Sequence, residues 1–425
     1  MGGTDLVAFA NLGVIYKQND QLGKALLATL KAIETEIDNA AMHMNLGSIL
    51  QDQGRLNEAI AATLKAIELQ PGYADAYKNL GGILNDQGKL DQALGTTLKA
   101  IEINPGHVDA YINLGGIFLK LKQLDKAKAA ISKAIQLNPK NALANITLGR
   151  IEEAEGDLCK CKQLYIRSMV LNPHQGWAYF ETSKNLISAE EAISILNLID
   201  GVSEEKLSPK ETMFLAFASS NCHHRLNDFP KSAKHLFHAN GICKRMYPPN
   251  ISNYVCTNDI MPEKINDYSI NDSSAGKGRV FIVGVPRCGS TLTESILSIN
   301  PLAVDLGETD ALSKAIASSS FNEQKLPCRS LEELYLSQLN TSSKTLVVIL
   351  DKQLYNYMYS AIIATSMPSA KIIHCRRNSL DNVLSMYRSS LSGYNYTSSL
   401  EDSVEVLISQ EQAMKHFKHL FPSSI

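Results

Sequence analysis

Arg279-Val-Phe-Ile-Val-Gly-Val-Pro-Arg-Cys-Gly-Ser-Thr-Leu292 is the one place in the chain where an apolar, β-branched run stops in a glycine loop and passes into a helical pattern. Val280 to Val283 read as a parallel strand buried on both faces. Gly284 and Gly289 bracket the turn, and Leu292, Ile296 and Leu297 follow at helical spacing. The backbone N–H groups of the loop and of the first helical turn then converge on one point, which makes an anion site. A strand-turn-helix whose glycines serve packing alone is the plainer reading of this loop taken by itself.

The spacing Gly284-x4-Gly289 is that of a nucleoside-triphosphate loop, but Ser290 stands where such a loop needs the lysine that reaches the terminal phosphates. Hydrolysis of ATP or GTP is therefore disfavoured. The loop carries instead Arg287, whose planar fork suits bidentate contact with phosphate or sulfate oxygens, and the hydroxyls of Ser290 and Thr291. Strand, Pro286-Arg287-Cys288-Gly289-Ser290-Thr291 and helix together resemble the 5′-phosphosulfate loop of sulfotransferases, which use 3′-phosphoadenosine 5′-phosphosulfate (PAPS). The resemblance implies that these six residues bind PAPS, with Arg287 also acting in the transfer, on a P-loop α/β fold with a parallel sheet. Cys288 replaces the usual serine or threonine, which weakens one hydrogen bond and leaves the backbone cradle.

Leu306-Gly307-Glu308-Thr309 follows, placed where the chain returns over the open end of the sheet. In protein-tyrosine sulfotransferases the loop arginine is followed at a fixed interval by a glutamate that deprotonates the acceptor hydroxyl. Glu308 lies 21 residues after Arg287, and the ungapped match also aligns Pro301 with the family's proline. Sulfuryl transfer needs a base near the nucleophile and positive charge near the bridging oxygen, as phosphoryl transfer does. Glu308 is the candidate base, a surface glutamate capping the next helix being the alternative. Lys344 to Leu350 read as a second strand that ends in Asp351-Lys352, at the carboxyl end where α/β folds place ligands.

Repeat-containing sulfotransferases show Asp-Lys-x-Pro-x-Asn at that strand end, and this chain has Asp351-Lys352-Gln353-Leu354-Tyr355-Asn356, without the proline. The resemblance makes Lys352 the cation on the leaving-group oxygen; a plain strand-end salt bridge is the other reading. A third strand, Lys371 to Cys375, runs into Arg376-Arg377-Asn378 and a helix. This resembles the 3′-phosphate site of the family, an arginine after the strand and a serine eight residues later, met here by Arg377 and Ser385. Arg376 and His374 carry no fixed role in that pattern, and Asn378 stands where an aspartate is common.

Upstream, Gly13, Gly47, Gly81, Gly115 and Gly149 recur at a separation of 34, each preceded by leucine. Ala25, Ala59, Ala93 and Ala127 keep the same period, as do Ala32, Ala66, Ala100 and Ala134. Small residues there let paired helices approach, and Pro71, Pro105, Pro139 and Pro173 stop each second helix because proline cannot continue the ladder. The array resembles the tetratricopeptide-repeat family over about residues 5–174. That implies an α-solenoid with a concave groove for a peptide or protein; a scaffold or dimerisation arm is the alternative. Cys161 and Ser168 hold the small positions of the fifth repeat, and Ser183 the glycine position of a sixth, so the consensus decays. Helical periodicity continues over 175–247, and Pro248-Pro249 and the polar run ending at Gly278 mark a linker over 248–278.

A formal net charge of −2 on 425 residues gives no support for nucleic-acid or membrane-surface binding. No basic-then-apolar leader or membrane-length apolar run is present, so a cytoplasmic protein is expected. Cys159-x-Cys161 and Cys222-His223-His224 lack structural-zinc spacing, and no metal is expected. The transfer domain is expected over 279–425 and to lack its C-terminal part, because the family normally continues with a strand, a helix and a loop over the adenine. That predicts an exposed sheet edge. A gene fragment, a partner chain that completes the fold and a degenerate domain are the three accounts of it, the last making the chain a non-catalytic repeat scaffold.

Overall fold

The structure, a computed structural model, describes residues 2–19, 21–203, 207–255, 273–320, 330–339, 348–389 and 394–425. The chain divides into two compact units, Met1–Ile242 and Cys243–Ile425.

Among the described residues, the regular structure of the first unit is all helical. The first helices of successive repeats begin at Ala40, Ala74, Val108 and Ala142, and the second helices at Leu22, Leu56, Leu90, Leu124 and Leu158. Each second helix stops two residues before the proline expected to end it, at Leu69, Ile103, Leu137 and Leu171. Both sets of small residues lie in the seams: Ala25, Ala59, Ala93 and Ala127, and Ala32, Ala66, Ala100 and Ala134, are all 0% exposed. The repeat glycines face a residue that keeps the same period, Thr29, Thr63, Thr97, Ile131 and Tyr165. A side chain on the glycine would collide with it, so the helix pair closes only because that position has no Cβ. Beyond the fifth pair the pattern changes. Helix Gly176–Lys184 pairs with Pro209–Arg225 rather than with Ala189–Asp200, which follows it directly. Gly176 N donates to the Glu211 carboxylate at that crossing.

Among the described residues, the second unit is built on four parallel strands: β1 (Arg279–Val283), β2 (Ala303–Asp305), β3 (Val348–Asp351) and β4 (Lys371–His374), in the order β2-β3-β1-β4. Phe281 pairs with Asp351 of β3 on one side and with Ile372 of β4 on the other. Phe281, Ile282 and Val283 are 0% exposed, each worth about 1.5–3 kcal/mol over an exposed side chain. The run of apolar residues therefore forms the central strand. Ala303–Asp305 is a strand where the sequence reads as a connecting segment, and its edge position beside β3 explains why it is short. The expected residues 344–347 of the second strand lie outside the described residues.

One expectation is corrected. The outer edge of β4 is not bare: Ile372 N donates to Ser424 O over 2.7 Å, and Lys371 Nζ to Ser423 O, so the turn after helix Leu400–Leu420 crosses that edge. Leu292 and Ile296, which follow the loop at helical spacing, are 67% and 58% exposed on helix Ser290–Leu297, which buries Ser290 and Glu294.

Candidate active site

Strand order decides where a site can form. The chain leaves β1 toward β2 and β3 on one side and returns to β4 on the other, so the carboxyl ends of β1 and β4 flank the point where the order reverses. The loop after β1 and the segment after β4 open there together.

The loop is held from below. Gly284 N donates to Leu354 O over 3.1 Å, Cys288 N to Val285 O over 3.3 Å, and Cys375 N to Val283 O over 2.9 Å. Asn382 Nδ2, on helix Ser379–Tyr387, donates to Pro286 O over 2.7 Å. A Cβ at Gly284 would lie 2.7 Å from Cys288 Sγ and 3.0 Å from Cys375 O. Arg287 has φ +70° and Gly289 φ +100°, so the loop turns through two left-handed residues before the helix begins at Ser290. An arginine in that region is strained by about 1 kcal/mol or more, a cost that functional loops carry. The amides that open the helix have no partner within it.

Of the six expected loop residues, Arg287, Gly289 and Thr291 are exposed, while Pro286, Cys288 and Ser290 are buried. Cys288 turns its thiol into the floor beside Cys375. The hydrogen bond between the two thiols, with burial, pushes the Cys288 thiol up, so it stays protonated and neutral. Arg287 Nε donates to Ser385 Oγ over 3.2 Å, which brings together two residues 98 positions apart. Arg376 is engaged elsewhere, by Glu411 at 2.6 and 2.9 Å. Arg377 is exposed beside the same mouth, with no ion pair to a described carboxylate. His374 contacts Gln410, and burial lowers its pKa.

Glu308 and Lys352 approach each other at the carboxyl ends of β2 and β3. Leu306 N donates to Leu350 O, and Lys352 N to Gly307 O, both over 3.0 Å, so the two segments are laced together. Glu308 Oε1 lies 3.9 Å from Lys352 Nζ, and Glu294 Oε2, from the loop helix, lies 2.7 Å from it. Asp351, 1% exposed, accepts from Tyr335 Oη over 3.0 Å and Asn356 Nδ2 over 3.3 Å. Asn356 thus closes the turn that begins at Asp351. Leu354, where the family motif has proline, opens a 3-10 turn and supplies the carbonyl that holds Gly284.

Sequence reasoning did not single out Glu294, Tyr335 or Asn382. It also missed a tyrosine cluster. Tyr254 packs at a tilt against Tyr355 and Tyr396, and edge-on against Tyr394, at 4.8, 5.1 and 6.3 Å between ring centroids, and Tyr355 and Tyr396 share a hydroxyl hydrogen bond of 2.7 Å. Burial, and then the nearby charge of Glu308, push the Tyr394 phenol up to about 12. Only Tyr355 of the cluster lies in the aromatic run from 355 to 359, so no local signal in the sequence joined the four. Among the described residues, no three His, Cys, Asp or Glu side chains converge as metal ligands, and no helix is long and apolar enough to cross a membrane.

Family models agree with this division into repeats and a second domain. Residues 279–425 match the family model described as the sulfotransferase family. Residues 11–74, 44–108 and 108–141 match tetratricopeptide-repeat models. A curated relative, an uncharacterized protein of Aquifex aeolicus (strain VF5), is 27% identical over 172 residues, 35% of this chain. The chain spans 22% of that relative's length. Among solved structures, Pseudomonas aeruginosa pilF is 18% identical, covering 59% of this chain and 95% of its own, with a TM-score of 0.36. A thermophilic tetratricopeptide-repeat protein of Thermus thermophilus is 17% identical over 46% of this chain and 98% of its own, with a TM-score of 0.39.

Proposed function

We propose that this chain, a tetratricopeptide-repeat array joined to a sulfotransferase-family domain, moves a sulfuryl group from PAPS to an acceptor hydroxyl while the array binds a protein or peptide. The observation that carries the proposal is the approach of Arg287 to Ser385, since it unites the two half-sites at the strand-order reversal. The residues fit the group. The loop at Gly284 has room for backbone only, and Arg376 is paired while Arg377 is exposed. The proposal extends to the division of the chain: five repeats over 5–174, degenerate repeats over 175–247, a linker over 248–278 and the transfer domain over 279–425.

PAPS supplies an activated sulfuryl group, whose bond to the 5′-phosphate oxygen breaks as a bond to the acceptor oxygen forms, leaving 3′-phosphoadenosine 5′-phosphate. Arg287, Ser290, Thr291 and the helix amides hold the 5′ end, with Pro286, Cys288 and Gly289 shaping the cradle. Arg377 and Ser385 hold the 3′-phosphate, a charge-assisted pairing. Glu308, side chain 51% exposed, takes the acceptor proton. Lys352, 8% exposed, places a cation at the departing oxygen, where low dielectric strengthens it.

Calorimetric titration with 3′-phosphoadenosine 5′-phosphate, run beside Arg287→Ala, tests the reading. Micromolar binding that the variant abolishes is the expected result. A folded wild-type chain that binds none would overturn it and leave the repeat array as the functional part.

A further inference from the structure

Lys352 is already paired. Its ammonium lies 2.7 Å from Glu294 Oε2, and both side chains are buried, Glu294 at 5% and Lys352 at 8% exposure. Glu294 stands on the phosphate-loop helix, one turn past Ser290. Its other oxygen, Oε1, is buried and meets no amide or hydroxyl donor among the described residues, while the Asp305 carboxyl lies close enough to share a proton with the glutamate. Burial, and then the neighbouring Asp305 carboxyl, raise the Glu294 pKa against the pull of Lys352. A buried carboxylate beside a second carboxyl is costly, so this pair is a poor way to stabilise a core. It sits instead where the loop helix meets the end of β3, with Gly284 N bonded to Leu354 O beside it.

An anion in the loop needs the same ammonium. Carboxylate and phosphate oxygens then compete for one lysine at close range, in a site too dry to screen them. We propose that Glu294 is a positioning residue: it holds Lys352 against the loop helix in the resting site and competes with the bound anion for that lysine. The proposal rests on the anion-binding reading above. Glu294 keeps Lys352 from collapsing onto Glu308, whose Oε1 is 3.9 Å away, and it opposes overly tight retention of the anionic product.

The test is calorimetric titration of the full chain with 3′-phosphoadenosine 5′-phosphate, comparing wild type, Glu294→Gln, Glu294→Asp and Arg287→Ala. Glu294→Gln keeps the shape and removes the competing charge, so the dissociation constant is expected to fall about three- to tenfold. Glu294→Asp shortens the side chain, loosens its hold on Lys352, and is expected to give an intermediate value. A glutamate that only supported the fold would do the opposite, because its loss would weaken binding. Dissociation constants at or above wild type in both variants, with binding still lost in Arg287→Ala, would overturn this inference and leave the anion site standing. No binding by wild type would overturn both.

Discussion

Tyr335 donates its phenol to Asp351 Oδ2 over 3.0 Å, fastening helix Leu331–Gln338 to the end of β3 one residue before Lys352. Asp351 is 1% exposed, and burial pushes its carboxyl up to about 7, the bonds from Tyr335 and the Gln353 amide opposing. Unfolded, an aspartate titrates near ~3.9. The native state therefore holds a proton between about pH 4 and pH 7 that the unfolded chain has lost, so this contribution is full at low pH and disappears as pH rises through 7. Asp351→Asn does not ionise. Relative to wild type, its stability is expected to rise between pH 4 and pH 8, by on the order of a few kcal/mol. Denaturant unfolding at a series of pH values reads this; a wild-type-to-variant difference that does not change with pH would contradict it.

Gly284→Ala is expected to damage loop and fold together. Its Cβ would lie 2.7 Å from Cys288 Sγ and 3.0 Å from the Cys375 carbonyl, and neither can retreat without moving the loop or β4. Overpacking of this kind costs about 1–3 kcal/mol. Thermal unfolding should show that loss, and titration with 3′-phosphoadenosine 5′-phosphate should show weaker binding even where the variant is folded.

The two adjacent arginines should behave differently. Arg376 is held by Glu411 at 2.6 Å on a largely exposed surface, a pair worth about 0–1 kcal/mol. Arg376→Ala should change affinity by less than about threefold. Arg377→Ala removes a charge-assisted contact and should cost about 1.5–3 kcal/mol of binding, more than tenfold. Equal effects from the two substitutions would argue against Arg377 as the 3′-phosphate ligand.

Gly115 and Gly116 are neighbours in one helix and should respond with opposite signs. A Cβ at Gly115 would meet Ile131, 0% exposed, at 2.4 Å, whereas nothing lies within 4 Å of one at Gly116. Gly115→Ala should destabilise the helical unit by about 1–3 kcal/mol. Gly116→Ala should stabilise it by about 0.5–1 kcal/mol, the propensity difference in a helix interior. Circular-dichroism melts of the full chain distinguish them.

The helical array was legible from residue types alone because each repeat contacts its neighbours in the same way, so one packing requirement appears five times at a period of 34. The strand-turn-helix at Gly284 was legible for a local reason as well, since strand, glycine turn and helix are continuous in the chain. Arg377 and Ser385 were nominated by the resemblance of their spacing to the sulfotransferase motif. What the tertiary structure decided is which of these charges meet. Glu294 finds Lys352 across 58 positions (352 − 294), Tyr335 finds Asp351 across 16, and Arg376 is withdrawn from the mouth by Glu411. It also decided that Leu292 and Ile296 face outward on a helix that buries Glu294. Helical spacing names a face but not its partner. The choice of buried face depends on where β3 places its lysine, because an ammonium excluded from water costs several kcal/mol unless a carboxylate reaches it.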